Sequence, residues 1–215
     1  LRAVRVPVSH LIGKRGFYGR SFKVSAEVLD PRPETETVVE AALAEDFDRV
    51  LDLGTGSGCL LVTLLAERPN AHGVGVDLSE GACLQTSANA VLHEVADRAH
   101  VLNGSWFDPV EGRFDLIVAN PPYLAAFEMD EVAPELRDHE PRLALTDEGD
   151  GLSAYREIAA LAGSYLTSQG RVICEFGATQ GPEVRAIFEG EGWGDVVLLP
   201  DLDGRPRGVV ARNPA

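Results

Sequence analysis

Arg49-Val50-Leu51-Asp52-Leu53 runs straight into Gly54-Thr55-Gly56-Ser57-Gly58, and this junction limits the possible folds most sharply. A short apolar run closed by clustered glycines reads as a buried strand that turns abruptly. Behind it, Cys59-Leu60-Leu61-Val62 and Leu64-Leu65-Ala66 predict an apolar helix ending near Pro69. The next strand, Gly73-Val74-Gly75-Val76, stops at Asp77. The alternation continues with a helix over 80–93, a short strand His100-Val101-Leu102, a strand over 114–119 and a helix over 151–167. Strand Arg171-Val172-Ile173-Cys174-Glu175-Phe176, a helix over 180–190 and two strands near 193–199 and 207–212 complete it. Alternating strands and helices build a mostly parallel sheet covered on both faces. The expected fold is therefore α/β: an open, doubly wound, seven-stranded, Rossmann-like sheet with an antiparallel strand near its C-terminal end.

The first thirty residues differ in character. β-prone pieces around Ser21-Phe22-Lys23-Val24 and Ala26-Glu27-Val28-Leu29, separated from upstream segments by Gly13, Gly16 and Gly19, predict a β-hairpin arm rather than a core element. Asp30-Pro31-Arg32-Pro33 breaks structure, so the expected division is an arm at 1–30 and one catalytic domain at 31–215. Acidic Glu34 and Glu36 then open a helix where its dipole favours them. With 215 residues the chain can bury one full α/β core.

A net charge of −15 argues against a duplex-binding protein, which needs a basic face. The early basic residues Arg2, Arg5, Lys14, Arg15, Arg20, Lys23 and Arg32 read as solvated surface. No apolar run reaches membrane-spanning length, and Leu1-Arg2-Ala3-Val4-Arg5 has no signal-peptide core, so a cytoplasmic protein without membrane contact is expected. Cys59, Cys83 and Cys174 are widely spaced and predict buried thiols. The five histidines do not cluster in sequence, and no metal is expected.

Four positions at strand ends point to one crevice. The glycines at 54, 56 and 58 allow a tight loop that brings backbone N–H groups and a helix N-terminus near a ligand. Asp77 stands where a carboxylate accepts both hydroxyls of a ribose. Trp106 follows the third strand, where an adenine ring could pack, although a rim tryptophan would look the same. Cys59 occupies the place of the third Rossmann glycine, which turns the reading from a dinucleotide toward S-adenosylmethionine. At the end of the fourth strand, Asn120-Pro121-Pro122-Tyr123 forms a stiff arch, because neither proline donates a hydrogen bond and each fixes its φ. Such an arch can present the Asn120 amide and the Tyr123 ring to a flat polar group, a nucleobase edge or an amide.

With these residues in view, the chain resembles the protein-glutamine N5-methyltransferases that modify translation release factors, the HemK/PrmC type. The resemblance runs nearly end to end. Pro7-Val8-Ser9-His10-Leu11-Ile12-Gly13 and Phe17-Tyr18-Gly19 are similar to the hairpin before the family's catalytic domain, and Pro31-Arg32-Pro33-Glu34-Thr35-Glu36 to its PRPETE segment. Asp52 to Gly58 resembles the cofactor loop, Asn120 to Tyr123 the signature motif. Glu140-Pro141-Arg142-Leu143-Ala144-Leu145, Gly149-Asp150-Gly151-Leu152 and Asp201-Leu202-Asp203-Gly204-Arg205 match later segments. The NPPY motif is shared with adenine-N6 methyltransferases; the other segments are specific.

The resemblance implies a class I methyltransferase fold and cofactor contacts at Gly54, Thr55, Gly56, Ser57, Gly58, Asp77, Trp106, Asn120 and Thr35. It implies catalytic roles for Asn120, Pro121 and Tyr123, and substrate contacts at Asn120, Pro121, Pro122 and Tyr123. The implied partner is a peptide chain release factor, methylated at the glutamine of its glycine-glycine-glutamine loop by a monomer. Ribosomal-protein glutamine methylation, adenine methylation of nucleic acid and a non-catalytic cofactor-binding module are the alternatives. Two departures stand out. The sequence starts at about where the family's usual N-terminal helical domain should end, as a fragment, a naturally short form or a relative with another substrate would, and Asp30 stands where the family usually has an apolar residue before PRPETE. Glu175 reads as a strand-tip carboxylate facing water and His139 as a surface histidine. Arg32 and Arg142 read as braces for the active-site loop.

Overall fold

A computed structural model describes residues 5–201 and 203–213. Arg2 of the basic group and Leu202 of the closing hairpin lie outside the described residues. The chain opens with a short helix α1 (Val8–Ile12) and a hairpin of β1 (Lys14–Phe17) and β2 (Arg20–Lys23). Then follow α2 (Glu36–Leu43), β3 (Arg49–Leu53), α3 (Cys59–Glu67), β4 (His72–Asp77), α4 (Glu80–Leu92), β5 (Ala99–Asn103) and β6 (Phe114–Ala119). After α5 (Pro134–Arg137) come α6 (Ser153–Tyr165), β7 (Leu166–Glu175), α7 (Gly181–Gly190), β8 (Gly194–Pro200) and β9 (Pro206–Arg212).

The main sheet has seven strands in the order β5-β4-β3-β6-β7-β9-β8. All neighbours are parallel except the β7–β9 and β8–β9 pairs. The chain works outward from β3 through β4 to β5, then returns to β6 on the other side of β3. That reversal makes the β3/β6 boundary the switch point where ligands enter such sheets. The register aligns the strand ends there: Leu53 pairs with both Val76 and Ala119, and Ala119 with Cys174.

Burial explains these elements. Val50, Leu51 and Leu53 are fully buried, as a central strand covered on both faces requires. Helix α3 buries every residue from Leu60 to Leu65, so its apolar character is nearly all round. Helix α4 starts at Ser79, whose hydroxyl accepts from the Ala82 N–H at 3.2 Å.

The N-terminal segment departs from the sequence expectation. Residues 26–29 form a turn rather than a strand, and the second hairpin strand is matched by Lys14–Phe17 instead. Nor is the hairpin outside the core. Phe17 and Phe22 pack with Val38, Val39, Leu61 and Leu65 in one apolar cluster. Asn89 on α4 is fully buried and clamps the hairpin, accepting from Lys23 N–H and donating to the carbonyls of Lys23 and Ser57. One side chain thus ties the arm to the glycine loop. Several early cations are also paired: Arg20 with Glu67 at 2.7 Å, and Arg5 with Glu135 at 3.7 Å.

Candidate active site

A crevice of about 1060 Å³, its open mouth included, lies over the C-terminal ends of β3, β4 and β6. Gly54, Thr55, Gly56, Ser57, Asp77, Trp106, Asn120, Pro122 and Thr35 line it. The structure therefore brings together nearly all the residues expected of the cofactor site. Gly58 sits beneath the loop with φ +77°, and a Cβ there would approach Thr86 Cγ2 to 2.9 Å.

The glycine loop is held from inside the protein. The N–H groups of Gly54 and Thr55 donate to the Val76 carbonyl at 2.9 and 3.0 Å, and that of Gly58 to Thr55. The Gly56 N–H donates to Asp77 Oδ2 at 2.9 Å. Loop amides expected to face a ligand are thus largely committed to β4 and the loop itself. A pyrophosphate needs such donors, whereas the adenosine and amino-acid parts of S-adenosylmethionine do not depend on them.

Asp77 accepts one backbone N–H on each oxygen, from Gly56 and Ser79. A carboxylate offers about four acceptor positions, so Asp77 keeps acceptor capacity for a ribose diol. Burial raises the Asp77 pKa, and its backbone donors oppose that rise. Asp52 is buried beneath the loop, accepts from the Thr55 hydroxyl at 2.7 Å and Leu61 N–H at 3.2 Å, and is pushed up to about 7 by burial. Trp106 is half-buried against the main core with φ +42°, an uncommon conformation for a bulky residue, which marks a constrained position.

The substrate side is built on the arch. Asn120 Nδ2 donates to Thr35 Oγ1 at 3.1 Å, while Asn120 Oδ1 is buried and unpartnered among the described residues. A buried acceptor without a donor costs free energy until a ligand supplies one. Pro121 is buried, and Tyr123 is half-buried against the core with its hydroxyl pushed up to about 12 by burial. That phenol stays neutral at ordinary pH and presents an aromatic face rather than a base.

Segments distant in sequence brace the arch. Leu124 N–H donates to the Leu145 carbonyl and Ala126 N–H to that of Gly149, so the EPRLAL and DGL segments lie alongside. Gln180 Nε2 donates to the Tyr123 carbonyl at 2.8 Å and to that of Gly151 at 3.2 Å. Arg32 Nη2 reaches both oxygens of buried Glu140, at 2.6 and 2.7 Å, joining PRPETE to EPRLAL. Arg142 pairs with Glu148 nearby, at the exposed end of the same loop. Both arginines act as the expected braces. Replacing Arg32 with alanine strands a carboxylate whose side chain is 1% exposed. The expected cost is about 3 kcal/mol, read as a lowered thermal midpoint.

Two expectations change. Glu175 does not face water: it is 1% exposed, near Thr35, and burial pushes its carboxyl up to about 7. His10, Asp30 and Glu140 place one ligand atom each within 4.8 Å of the others, a closeness their sequence spacing does not suggest. Glu140 there is taken by Arg32, Asp30 accepts from the Ser9 hydroxyl, and His10 Nε2 lies 3.6 Å from Asp30. The group reads as a buried ionic brace, with Arg32 as its cation. His139 beside it is half-buried. Sequence reasoning passed over Gln180 and Asn89. Gln180 follows Glu175 and Gly177 at a strand-to-helix turn, a polar cluster at the crevice edge that could have been noticed.

Comparison with known proteins agrees with this geometry. Residues 25–150 match the family described as methyltransferase small domain. A methyltransferase from Pyrococcus furiosus shares the fold, with a TM-score of 0.72 at 14% identity, over 100% of this chain and 98% of that one. An RNA methyltransferase from Salinibacter ruber, solved with S-adenosyl-L-homocysteine, does so at a TM-score of 0.56 and 17% identity, over 87% and 94% of the two chains. The release factor glutamine methyltransferase of Cereibacter sphaeroides is 54% identical over 214 residues, spanning 100% of this chain and 77% of that protein. Identity at that level over the whole chain goes well beyond a common fold: the chain belongs to the release factor glutamine methyltransferases.

Proposed function

We propose that the protein transfers a methyl group from S-adenosylmethionine to the side-chain nitrogen of a glutamine in a peptide chain release factor, at its glycine-glycine-glutamine loop. The observation that carries this reading is Asn120 Oδ1, a buried acceptor without a donor among the described residues, at the crevice wall. Bound in the crevice, the cofactor supplies an electrophilic methyl on a sulfonium. Asp77 would hold its ribose, Trp106 its adenine, and the loop from Gly54 to Gly58 its amino-acid end.

The chain's own residues then act on the substrate amide. A glutamine nitrogen is a weak nucleophile because its lone pair is shared with the carbonyl. Asn120 Oδ1 and the Pro121 carbonyl accept its two N–H bonds, orienting the nitrogen and stabilising the positive charge that develops during attack. Tyr123 stacks on the amide plane, and Pro122 shapes the arch. Alignment and electrostatics provide the rate, and no side chain serves as general base. Cys59, Cys83 and Cys174 are free thiols and take no part.

The reading extends to organisation. Residues 31–215 form the catalytic domain with 1–30 as an arm packed against it, and the protein acts as a monomer in the cytoplasm, where release factors work. Among the described residues no helix is long and apolar enough to cross a membrane.

Two measurements test the assignment. Asp77→Ala should weaken S-adenosylmethionine binding by about 10- to 100-fold in calorimetric titration, since a charged acceptor is lost. Unchanged affinity would remove Asp77 from the site. Labelled methyl should appear on release factor and be released by protease, whereas release by nuclease would favour adenine methylation.

A further inference from the structure

The brace of His10, Asp30 and Glu140 sets two buried carboxylates against the single guanidinium of Arg32. Arg32 balances Glu140, and Asp30 adds a second negative charge beside them. The Ser9 hydroxyl donates to Asp30 Oδ2. Asp30 Oδ1 and His10 Nε2 are both buried, and neither has a hydrogen-bond partner among the described residues. Their side chains are 5% and 6% exposed, and the two atoms face each other across 3.6 Å.

That spacing is informative. A direct N–H···O bond closes to about 2.7–3.2 Å, and this pair stands outside that range. Two atoms that each lie about 2.0–2.2 Å from one tetrahedral ion are about 3.3–3.6 Å apart. One oxygen of Glu140 brings the set to three, all within 4.8 Å of one another. Both Glu140 oxygens accept from Arg32, but a carboxylate has about four acceptor positions, so capacity remains.

We propose that His10, Asp30 and Glu140 bind one first-row divalent cation, Zn²⁺ by donor chemistry, which supplies the missing positive charge. One imidazole nitrogen and two carboxylate oxygens suit that ion, whereas Ca²⁺ and Mg²⁺ prefer shells built from oxygen alone. A cleft bounded by Val24, Ser25, Ala26 and His139 reaches His10 and Glu140 from solvent and gives the ion a path in. Ser9 and Arg32 hold the two carboxylates from behind, as outer partners orient metal ligands. The ion pins α1, the turn ahead of α2 and the segment after α5 to one another. Asp30 also lines the cofactor crevice, as do Pro141, Leu143 and Ala144 just beyond Glu140, so the clamp supports the crevice wall. This role is independent of which substrate the crevice serves.

The test uses the whole chain, stripped with a chelator, then titrated with ZnCl₂ by calorimetry and with CoCl₂ by visible absorption. The wild type should take up one Zn²⁺ saturably, develop a Co²⁺ absorption band, and gain several degrees in thermal midpoint with Zn²⁺ at about 100 times its Kd. His10→Gln and Asp30→Asn, checked by melts without metal, should each lose at least about tenfold in affinity and most of the thermal gain. His100→Gln, an exposed histidine on β5, should bind as the wild type does. Failure of the wild type to bind Zn²⁺ saturably would overturn the site, and a proton on His10 would then meet the charge of Asp30. Undiminished binding by folded His10→Gln and Asp30→Asn, or binding lost in His100→Gln, would overturn it as well.

Discussion

Asn120→Ala should lower turnover by about 100- to 1000-fold while S-adenosylmethionine affinity changes only about threefold, the usual result of losing one preorganised transition-state partner. The reasoning starts from the acceptor. Among the described residues Asn120 Oδ1 is buried and unpartnered, and the Asn120 nitrogen is held by Thr35. In the ground state a substrate N–H finds an acceptor there and gains modestly. As the nitrogen attacks, positive charge builds on it and the same contact strengthens, so the interaction acts mainly on kcat. Alanine removes the acceptor and leaves Thr35 with an unused lone pair, while the glycine loop and Asp77 are untouched. Single-turnover rates and calorimetric titration separate the two effects. Unchanged turnover in folded Asn120→Ala would contradict the assignment of Asn120.

Gly151→Ala is the second large effect, and it acts from outside the arch. Gly151 has φ +76°, in the left-handed region that favours glycine, and a Cβ there would enter the shell of the Tyr123 carbonyl oxygen. That oxygen is backbone, already held by Gln180 Nε2 at 2.8 Å, so it has little room to retreat. The substitution should therefore push the arch out of line and also strain residue 151. Left-handed strain alone costs about 1–2 kcal/mol. A displacement near 1 Å at the reacting group costs about 100-fold in rate. Thermal melts and kcat measure the two consequences. Gly190→Ala provides the comparison, since Gly190 ends α7 with open space around it and should change stability by less than about 0.5 kcal/mol. Equal behaviour of the two variants would show that the DGL segment does not support Tyr123.

Much of the sheet was legible because its strands are covered on both faces. The strand at 114–119 is apolar but for Asp115 and runs through Asn120 into a proline pair, and the structure places β6 over the same residues. The strand tips at Asp77 and Asn120 were legible for the same reason: a polar residue that closes an apolar run sits at the sheet's edge. Residues 26–29 misled because Val28 is apolar through burial, packing with Val24 and Ala82 under the crevice, rather than through strand pairing. The hairpin seemed peripheral because two short strands carry only two large apolar side chains, yet Phe17 and Phe22 are both nearly fully buried. Glu175 was misread because a carboxylate after an apolar run usually meets water. Here Thr35, Arg207 and Arg32 stand close enough to offset part of the desolvation cost. Its neighbours come from two stretches of chain far from it in sequence, and no local pattern announces them. The inward-turned loop amides are hidden in the same way, since the Val76 carbonyl and Asp77 that receive them belong to the following strand.

The most direct test is to incubate the protein with methyl-labelled S-adenosylmethionine and each release factor, then map the label by mass spectrometry. The account predicts one methyl group on the side-chain nitrogen of the glutamine in the glycine-glycine-glutamine loop, and none in Asn120→Ala. Label on another residue type, label carried only by nucleic acid, or undiminished labelling by Asn120→Ala would contradict it.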